Sequence, residues 1–126
     1  MYKILLLLCI CCTVFVVCGS DTEPPTVAMY FPHDGDTVWA TVYITANVHD
    51  NEGILNVEFF IDDSMVGTET TIFQDSLYQW MWMTATTGDT TYKSIYTIAH
   101  DVNENSATSN TITVYVDNEG HPPGGD

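Results

Sequence analysis

Residues 38–49 read VWATVYITANVH, and this stretch has the clearest alternation of side-chain types in the chain. Small or branched apolar side chains occupy every second position, and Trp, Thr, Tyr and Asn fall between them. In a β-strand successive side chains point to opposite faces, so a period of two predicts one core face and one outer face. We predict a strand over Val38–His49 whose core face carries Val38, Ala40, Val42, Ile44, Ala46 and Val48.

Similar short runs lie on both sides of this stretch, separated by clusters of Gly, Asp, Asn and Pro. Runs of this kind, without a helical period between them, are typical of an all-β sandwich. We therefore predict an antiparallel β-sandwich of seven to eight strands. The other strands are predicted at Thr26–Phe31, Ile54–Ile61, Met65–Glu69, Leu77–Met83, Tyr92–His100 and Thr111–Val116, with a weak one at Thr70–Phe73.

The alternation within these strands also predicts which side chains reach the core. Side chains two residues apart share a face, so each strand contributes one apolar row. Glu58, Phe60 and Asp62 are expected on the outer face of their strand. The predicted inward side chains are Leu55, Val57, Phe59, Ile61, Ile95, Thr97, Ala99, Ile112, Val114 and Val116.

The N-terminal segment, residues 1–18, reads MYKILLLLCICCTVFVVC. Lys3 precedes a run without charge from Ile4 to Val17, which suits the apolar part of a signal peptide and is short for a membrane span. A short transmembrane anchor is the alternative. All four cysteines lie in this segment, so we expect no disulfide in the rest of the chain.

Cys18 ends the apolar run and is followed by Gly19, Ser20 and a polar segment up to Pro25. This order resembles a bacterial lipoprotein signal, although Val17 stands where that family prefers a small residue. The resemblance implies an exported protein held at the cell envelope by lipid on Cys18. Cleavage near Gly19 or Ser20, which would give a secreted protein, is the alternative. The predicted organisation is a signal peptide at 1–18, a linker at 19–25, a domain at 26–117 and a flexible tail at 118–126.

The charge balance of the chain excludes two classes of partner. The 126 residues carry 17 acidic side chains against two basic ones, a net charge of −15. Loss of Lys3 with the signal peptide would change this to −16. So few cations cannot neutralise nucleic-acid phosphates or attract an anionic membrane surface. We expect no nucleic-acid partner, and membrane contact only through a lipid anchor.

Several motifs in residues 24–117 carry a family resemblance. They are DNEGILNVEFF at 50–60, VGT at 66–68, YQWMW at 78–82, AHDVNEN at 99–105 and ATSNTITVYV at 107–116. Their order and spacing resemble the bacterial immunoglobulin-like domain family. The resemblance implies an immunoglobulin-like sandwich with Trp80 and Trp82 in the core. It also implies a non-catalytic module of secreted and surface proteins, acting in adhesion, spacing or substrate attachment.

Two loops depart from the usual pattern of that family. The hairpin turn carries Asp62-Asp63 where Asp-Gly is usual, and Asp suits the positive φ of a type I′ turn less well than Gly. The loop after Asp101 has Asn103 and Asn105 and lacks the common Gly, but Asn tolerates the left-handed region. We expect the fold to accommodate both departures.

Oxygen-bearing side chains in two loops form a candidate calcium site. In a seven-stranded sandwich of this type, the loop after the second strand and the loop after the sixth lie at the same end. Calcium takes six to eight oxygen ligands, which adjacent loops can supply. The alternative is that these are ordinary turn residues bonded to their own backbone. The candidate ligands are Asp50, Glu52, Asp101, Asn103 and Asn105.

Outward aromatic side chains form a candidate binding face. Phe60, Tyr96 and Tyr115 are predicted on the outer face of one sheet, and Trp39 and Tyr43 on the outer face of the other. Grouped aromatic rings suit a sugar or a protein partner. The alternative is that loops cover some of them or that the predicted faces are shifted by one residue.

These observations favour a non-enzymatic module of the cell envelope, acting in adhesion, spacing or protein binding. The alternative is a calcium- or carbohydrate-binding accessory domain. The expected partner is a protein or polysaccharide at the envelope, and calcium is the only cofactor that the residues suggest. The sequence lacks G-x-S-x-G and H-E-x-x-H, and acids dispersed over turns do not form the paired carboxylates of a glycosidase.

Overall fold

The computed structural model describes residues 21–87 and 90–120 of the chain. The predicted signal peptide at 1–18, with Cys18, and residues 121–126 of the predicted tail lie outside the described residues. Within them the chain forms nine strands and a short 3₁₀ helix, Thr84–Thr87. The strands are β1 (Thr26–Phe31), β2 (Thr37–Val38), β3 (Thr41–His49), β4 (Ile54–Ile61), β5 (Ser64–Glu69), β6 (Leu77–Met83), β7 (Thr91–Asp101), β8 (Ser106–Thr108) and β9 (Ile112–Val116).

The strands form two sheets, which confirms the predicted immunoglobulin-like sandwich. One sheet has three strands in the order β1-β3-β6. The other has six, in the order β2-β9-β7-β4-β5 with β8 paired to β7. Every pairing is antiparallel except that of β2 with β9, which is parallel. Two short strands, β2 and β8, account for the higher strand count.

The core lies between the sheets and is built by the predicted alternation. Four apolar side chains of β3, namely Val42, Ile44, Ala46 and Val48, are buried, and Thr45 is buried as well. The buried side chains of the six-stranded sheet include Val57, Phe59, Ile61, Ile95, Thr97, Ala99, Ile112, Val114 and Val116. Trp82 is buried as well, and Trp80 is half-buried against the core.

The predicted strand over Val38–His49 is divided into β2 and β3, because the chain crosses here from one sheet to the other. Ala40 lies in the crossover with a φ of 57°, a left-handed conformation that interrupts any strand. The alternation does not reveal this break, since Val38 and Val42 are buried on either side of it.

Two further strand details differ from the predictions. Leu55 was expected in the core, but it is 52% exposed. The pairing of β4 with β7 shifts register between Ile54 and Asn56, and this bulge turns Leu55 outward. No strand forms over Thr70–Phe73, where the structure has only an isolated bridge between Gln74 and Leu77.

The residues that follow β9 contact the crossover between β2 and β3. The Asn118 side chain accepts a hydrogen bond from the backbone N–H of Ala40 at 2.7 Å and donates one to Thr84 Oγ1 at 3.0 Å. Asp117 donates its N–H to the carbonyl of Val38. Asn118, predicted as the start of the tail, therefore fastens the chain to the β2–β3 crossover.

Candidate functional site

Three carboxylates meet at one end of the sandwich. Asp21 precedes β1, Asp50 follows β3, and Asp101 ends β7. Each offers an oxygen atom, and these oxygens lie within 4.8 Å of one another. We name Asp21, Asp50 and Asp101 the acidic cluster.

Asp101 is the buried member of the acidic cluster, with no exposed surface. Burial alone would raise its pKa, but hydrogen bonds from the Asn105 side chain and from the backbone N–H groups of Asn105 and Asn103 outweigh it. The pKa of Asp101 is therefore lowered. The two N–H groups reach Oδ1 at 2.8 Å each, and Asn105 Nδ2 reaches Oδ2 at 2.9 Å. Asp101 is therefore ionised at neutral pH.

The other two members each have one bonded oxygen and one without a partner. Asp50 Oδ2 accepts the N–H groups of Glu52 and Gly53, at 2.8 and 3.0 Å. Asp21 Oδ1 accepts the Glu23 N–H at 3.0 Å and Asn51 Nδ2 at 3.2 Å. Asp50 Oδ1 and Asp21 Oδ2 are buried and have no hydrogen-bond partner among the described residues. Buried polar atoms are nearly always satisfied, so two such oxygens beside a third carboxylate fit a bound cation.

The predicted calcium ligands divide into two groups in the structure. Asp50 and Asp101 come together, and Asn105 lies beside them, where its side chain bonds to Asp101 and to the carbonyl of Asp21. Glu52 and Asn103 are exposed and reach the carboxylates only through their backbone N–H groups. The contacts of Glu52 and Asn103 are therefore those of ordinary turn residues.

Asp21 was missed because the sequence assigned it to the linker. β1 runs antiparallel to β3, with Thr26 opposite His49. The residues before β1 therefore lie beside the residues that follow β3, including Asp50. Pairing of the first two predicted strands is the signal that could have found Asp21.

The aromatic residues of the six-stranded sheet form two pairs on its outer face. Phe60 and Tyr96 stack in parallel, with ring centroids 4.9 Å apart and planes at 4°. Burial raises the pKa of Tyr96, and the charge and hydrogen bond of Asp63 add to the effect. Tyr115 packs against Tyr92 with centroids 4.8 Å apart. The rings therefore cover part of one another, and Tyr92 remains 69% exposed.

The other two aromatic candidates lie on the opposite side of the sandwich. Tyr43 is on the outer face of β3 and is 48% exposed. Trp39 is half-buried in the crossover between β2 and β3 and belongs to neither strand. Both line a groove of about 310 Å³ with Phe31, Thr37 and Thr41.

The outer face of the three-stranded sheet is uncharged. The sequences of β1, β3 and β6 are TVAMYF, TVYITANVH and LYQWMWM, and they contain no Asp, Glu, Lys or Arg. Five large apolar side chains of these strands are strongly exposed: Tyr30 of β1, and the four residues Phe31, Tyr43, Met81 and Met83. We name these four residues the uncharged face.

No helix of the described residues is both long and apolar enough to span a membrane.

A family model and solved structures of other proteins are similar to this chain. The model of the bacterial Ig domain family matches residues 25–114. No curated protein gives a match. The chain is similar to the fibronectin(III)-like modules of Clostridium thermocellum CbhA, at 19% identity and a TM-score of 0.62, over 73% of this chain and 96% of that one.

A second similar structure belongs to an enzyme. It is the endo-beta-1,4-mannanase from Thermotoga petrophila, with 19% identity and a TM-score of 0.60 over 80% of this chain. The chain spans 21% of the mannanase, about a fifth of its length. At this level of identity both structures show a shared fold alone.

Proposed function

The chain belongs to the bacterial Ig domain family, and from this premise we propose that it is a non-enzymatic module of the cell envelope that binds a partner there. The observation that carries the proposal is the uncharged face. In a chain with a net charge of −15, three adjacent strands without Asp, Glu, Lys or Arg leave five large apolar side chains exposed. Exposed apolar area of this kind is costly in a free protein and is typical of a binding surface.

A polysaccharide is the partner class that we propose first. The groove beside Tyr43 combines three aromatic rings with the hydroxyls of Thr37 and Thr41. Aromatic rings pack on the apolar faces of sugars and hydroxyls bond to their edges, whereas the lack of a cation disfavours acidic sugars.

Co-sedimentation with insoluble polysaccharides tests this partner class. We expect the full chain to be retained by a neutral polysaccharide such as mannan or cellulose, and Tyr43→Ala to lower retention at least fivefold. The control is Tyr92→Ala, which removes an equally large ring, 69% exposed, from the other sheet. Equal retention of both variants, or no retention of the wild type, would reject a sugar site on the uncharged face.

Lipid on Cys18 is the proposed means of attachment. The linker at 19–25 spans at most about 25 Å when fully extended, at roughly 3.5 Å per residue, so the domain would lie close to the membrane. Acyl chains would hold it by apolar burial, at about 0.8 kcal/mol per CH₂ group. We expect Cys18→Ala to leave the membrane fraction while Cys12→Ala remains in it. A wild-type chain that is already soluble would reject the anchor.

Calcium binding at the acidic cluster is a second candidate function. It is favoured by the two buried carboxylate oxygens, Asp21 Oδ2 and Asp50 Oδ1, that lack a hydrogen-bond partner among the described residues. An all-oxygen donor set suits calcium better than zinc or copper. Asp21, Asp50 and Asp101 would hold the ion, with water completing its six to eight ligands.

Thermal unfolding with and without calcium tests this site. A ligand of the folded state raises stability by about 2.7 kcal/mol at a concentration of about 100 Kd. We expect calcium to raise the Tm of the chelator-treated chain more than an equal concentration of magnesium does. Asp50→Asn should abolish the response, and Glu52→Gln, the matched control, should retain it. An unchanged Tm at millimolar calcium would reject the site.

A further inference from the structure

The acidic cluster joins two parts of the chain that are separate in sequence. Asp21 precedes β1 and falls in the predicted linker at 19–25, whereas Asp50 follows β3 and Asp101 ends β7. Oxygen atoms of the three carboxylates nevertheless lie within 4.8 Å of one another. A cation bound there would take one ligand from the linker and two from the domain. Binding of the cation and attachment of the linker would therefore be coupled.

Two hydrogen bonds join Asp21 to the domain among the described residues. Asn51 Nδ2 donates to Asp21 Oδ1 at 3.2 Å, and Asn105 Nδ2 donates to the Asp21 carbonyl at 3.1 Å. Residues 22–24 are exposed, and burial begins at Pro25. The first strand pairing follows at β1, which starts one residue later. Residues 21–24 are therefore held to the domain by a small number of polar contacts.

Like charge opposes this attachment when no cation is bound. Asp101 is buried and ionised, and Coulomb repulsion between carboxylates is stronger away from water than at the surface. Asp21 Oδ2 and Asp50 Oδ1 are buried and have no hydrogen-bond partner in the part of the chain that the structure describes. Orphaned oxygens of this kind are rare in folded proteins. A divalent cation between them satisfies both oxygens and turns the repulsion into attraction.

The place of Asp21 in the sequence determines how far the domain can move from Cys18. Asp21 is three residues beyond Cys18, a span of at most about 10 Å of extended chain. If the linker is free up to Pro25, the span increases to about 25 Å. A cation at the acidic cluster would thus shorten the flexible connection by more than half.

We propose that calcium at the acidic cluster fastens the linker to the domain, and that residues 21–24 move freely without it. Calcium then regulates the position of the domain relative to whatever its N-terminal end is attached to. The inference rests on the proposed calcium site. It depends neither on sugar binding nor on lipid at Cys18, because the coupled groups all lie in residues 21–105.

NMR relaxation of the full chain tests this coupling. Backbone order parameters are about 0.85 in rigid segments and below about 0.6 in flexible ones. We expect the amides of Asp21, Thr22 and Glu23 to lie below about 0.6 in chelator and to rise to about 0.85 in calcium chloride. Magnesium chloride at the same concentration should have a smaller effect. The amides of β1 should be rigid under all three conditions.

Three variants identify the groups responsible. Asp21→Asn should leave the linker mobile at millimolar calcium. The matched control is Glu23→Gln, which removes an equal charge from an exposed linker residue and should respond as the wild type does. Asn51→Ala loses one of the two bonds that hold Asp21. Calcium should still bring its order parameters to the wild-type value, because the ion rather than the amide fastens the linker.

The Tm measured on the same samples separates failure of this inference from failure of the calcium site. If calcium raises the Tm while the order parameters of the linker stay low, the site is retained and the coupling is rejected. Order parameters near about 0.85 in chelator would also reject it, because the linker is then fixed without the ion. A full response in Asp21→Asn would exclude Asp21 as a ligand and overturn the inference. If calcium changes neither quantity, both the site and the coupling are wrong.

Discussion

Asp62 is the first residue of the hairpin turn between β4 and β5. The hydrogen bonds of its side chain offset the cost of its left-handed backbone conformation. Asp62 and Asp63 have φ values of 52° and 66°, as a type I′ turn requires. The Asp62 carboxylate accepts the Ser94 N–H at 3.0 Å and Lys93 Nζ at 3.1 Å. The hydrogen bond from the Ser94 backbone is the main reason that the pKa of Asp62 is lowered. Asp62 is less suited to the turn than Gly, but its side chain bonds the hairpin to β7.

Substitutions at Asp62 are expected to separate these contributions. Asp62→Asn keeps an acceptor for Ser94 and loses only an exposed ion pair, so we expect it to lower the unfolding free energy by about 0.5 kcal/mol. Asp62→Ala loses both bonds and tolerates the positive φ poorly, so we expect a loss of about 1–2 kcal/mol. Urea unfolding at pH 7 measures both values, and equal losses would contradict the assigned roles.

Acidification should remove the benefit of the Asp62 charge. Because the pKa of Asp62 is lower in the folded state than its unfolded value of about 3.9, the carboxylate stabilises the fold above that pH. The contribution is lost as the pH falls through the folded pKa. The stability difference between wild type and Asp62→Asn should therefore narrow from pH 7 to pH 3. The control is Asp75→Asn, which changes the net charge equally at an exposed turn residue with a φ of 52°.

Gly67 is required because the Trp80 ring leaves no room for a side chain at this position. A Cβ atom at this position would lie 2.0 Å from Trp80 Nε1 and 2.4 Å from Trp80 Cε2. Trp80 packs against the core, so its ring cannot simply turn away. We expect Gly67→Ala to lower stability by about 1–3 kcal/mol through overpacking.

A double-mutant cycle tests the contact between Gly67 and Trp80. In a Trp80→Phe background the smaller ring leaves room for the methyl group, so Gly67→Ala should cost less there than in the wild type. An equal cost in both backgrounds would show that the indole ring is not the obstacle.

The β2–β3 crossover depends on Asn118, which lies beyond the last strand. Its side chain bonds to the N–H of Ala40 and to Thr84 Oγ1, while Thr84 Oγ1 donates to the Ala40 carbonyl at 2.9 Å. The left-handed Ala40 is thereby held from both sides of its backbone. A residue near the end of the domain thus fixes the point where the chain changes sheets.

Loss of the Asn118 amide should destabilise this crossover. We expect Asn118→Ala to lower the unfolding free energy by about 1–3 kcal/mol, because it leaves partly buried polar groups without partners. The control is Asn110→Ala, which removes a single exposed bond to the Met29 N–H and should cost less than about 1 kcal/mol. Chemical unfolding of both variants measures the comparison, and a smaller loss for Asn118→Ala would contradict it.

The sequence predicts the strands more completely than the way they connect. The alternation of apolar and polar side chains in β3, β4, β7 and β9 predicts most of the buried residues, so the core of these strands could be predicted from the sequence. The crossover at Ala40 and the bulge at Leu55 depend on backbone angles and register, which apolar spacing does not encode. Asp21 reaches Asp50 through strand pairing, so only two of the three members of the acidic cluster could be predicted.

Charged side chains lie in the loops and on strands of the six-stranded sheet, and they are absent from the strands of the three-stranded sheet. The three-stranded sheet has none on its strands, whereas Glu58, Lys93 and Asp101 lie on strands of the other sheet and the acidic cluster lies at one end. Because of this distribution, a partner can contact the apolar side chains of the three-stranded sheet without meeting a charged strand residue. The uncharged face is therefore a consequence of this distribution.

Salt should stabilise this domain, in contrast to a protein held together by ion pairs. Residues 21–120 contain one strong cation, Lys93, and its exposed bond to Asp62 contributes little that salt could weaken. Repulsion among the many carboxylates opposes the compact state and is screened once the Debye length falls to about 10 Å, near 0.1 M salt. We expect sodium chloride to raise the Tm of the metal-free chain, mostly below about 0.15 M. Potassium chloride should act equally, and sucrose at the same osmolality serves as the uncharged control. A Tm that falls with salt in this range would mean that attraction between charges outweighs their repulsion.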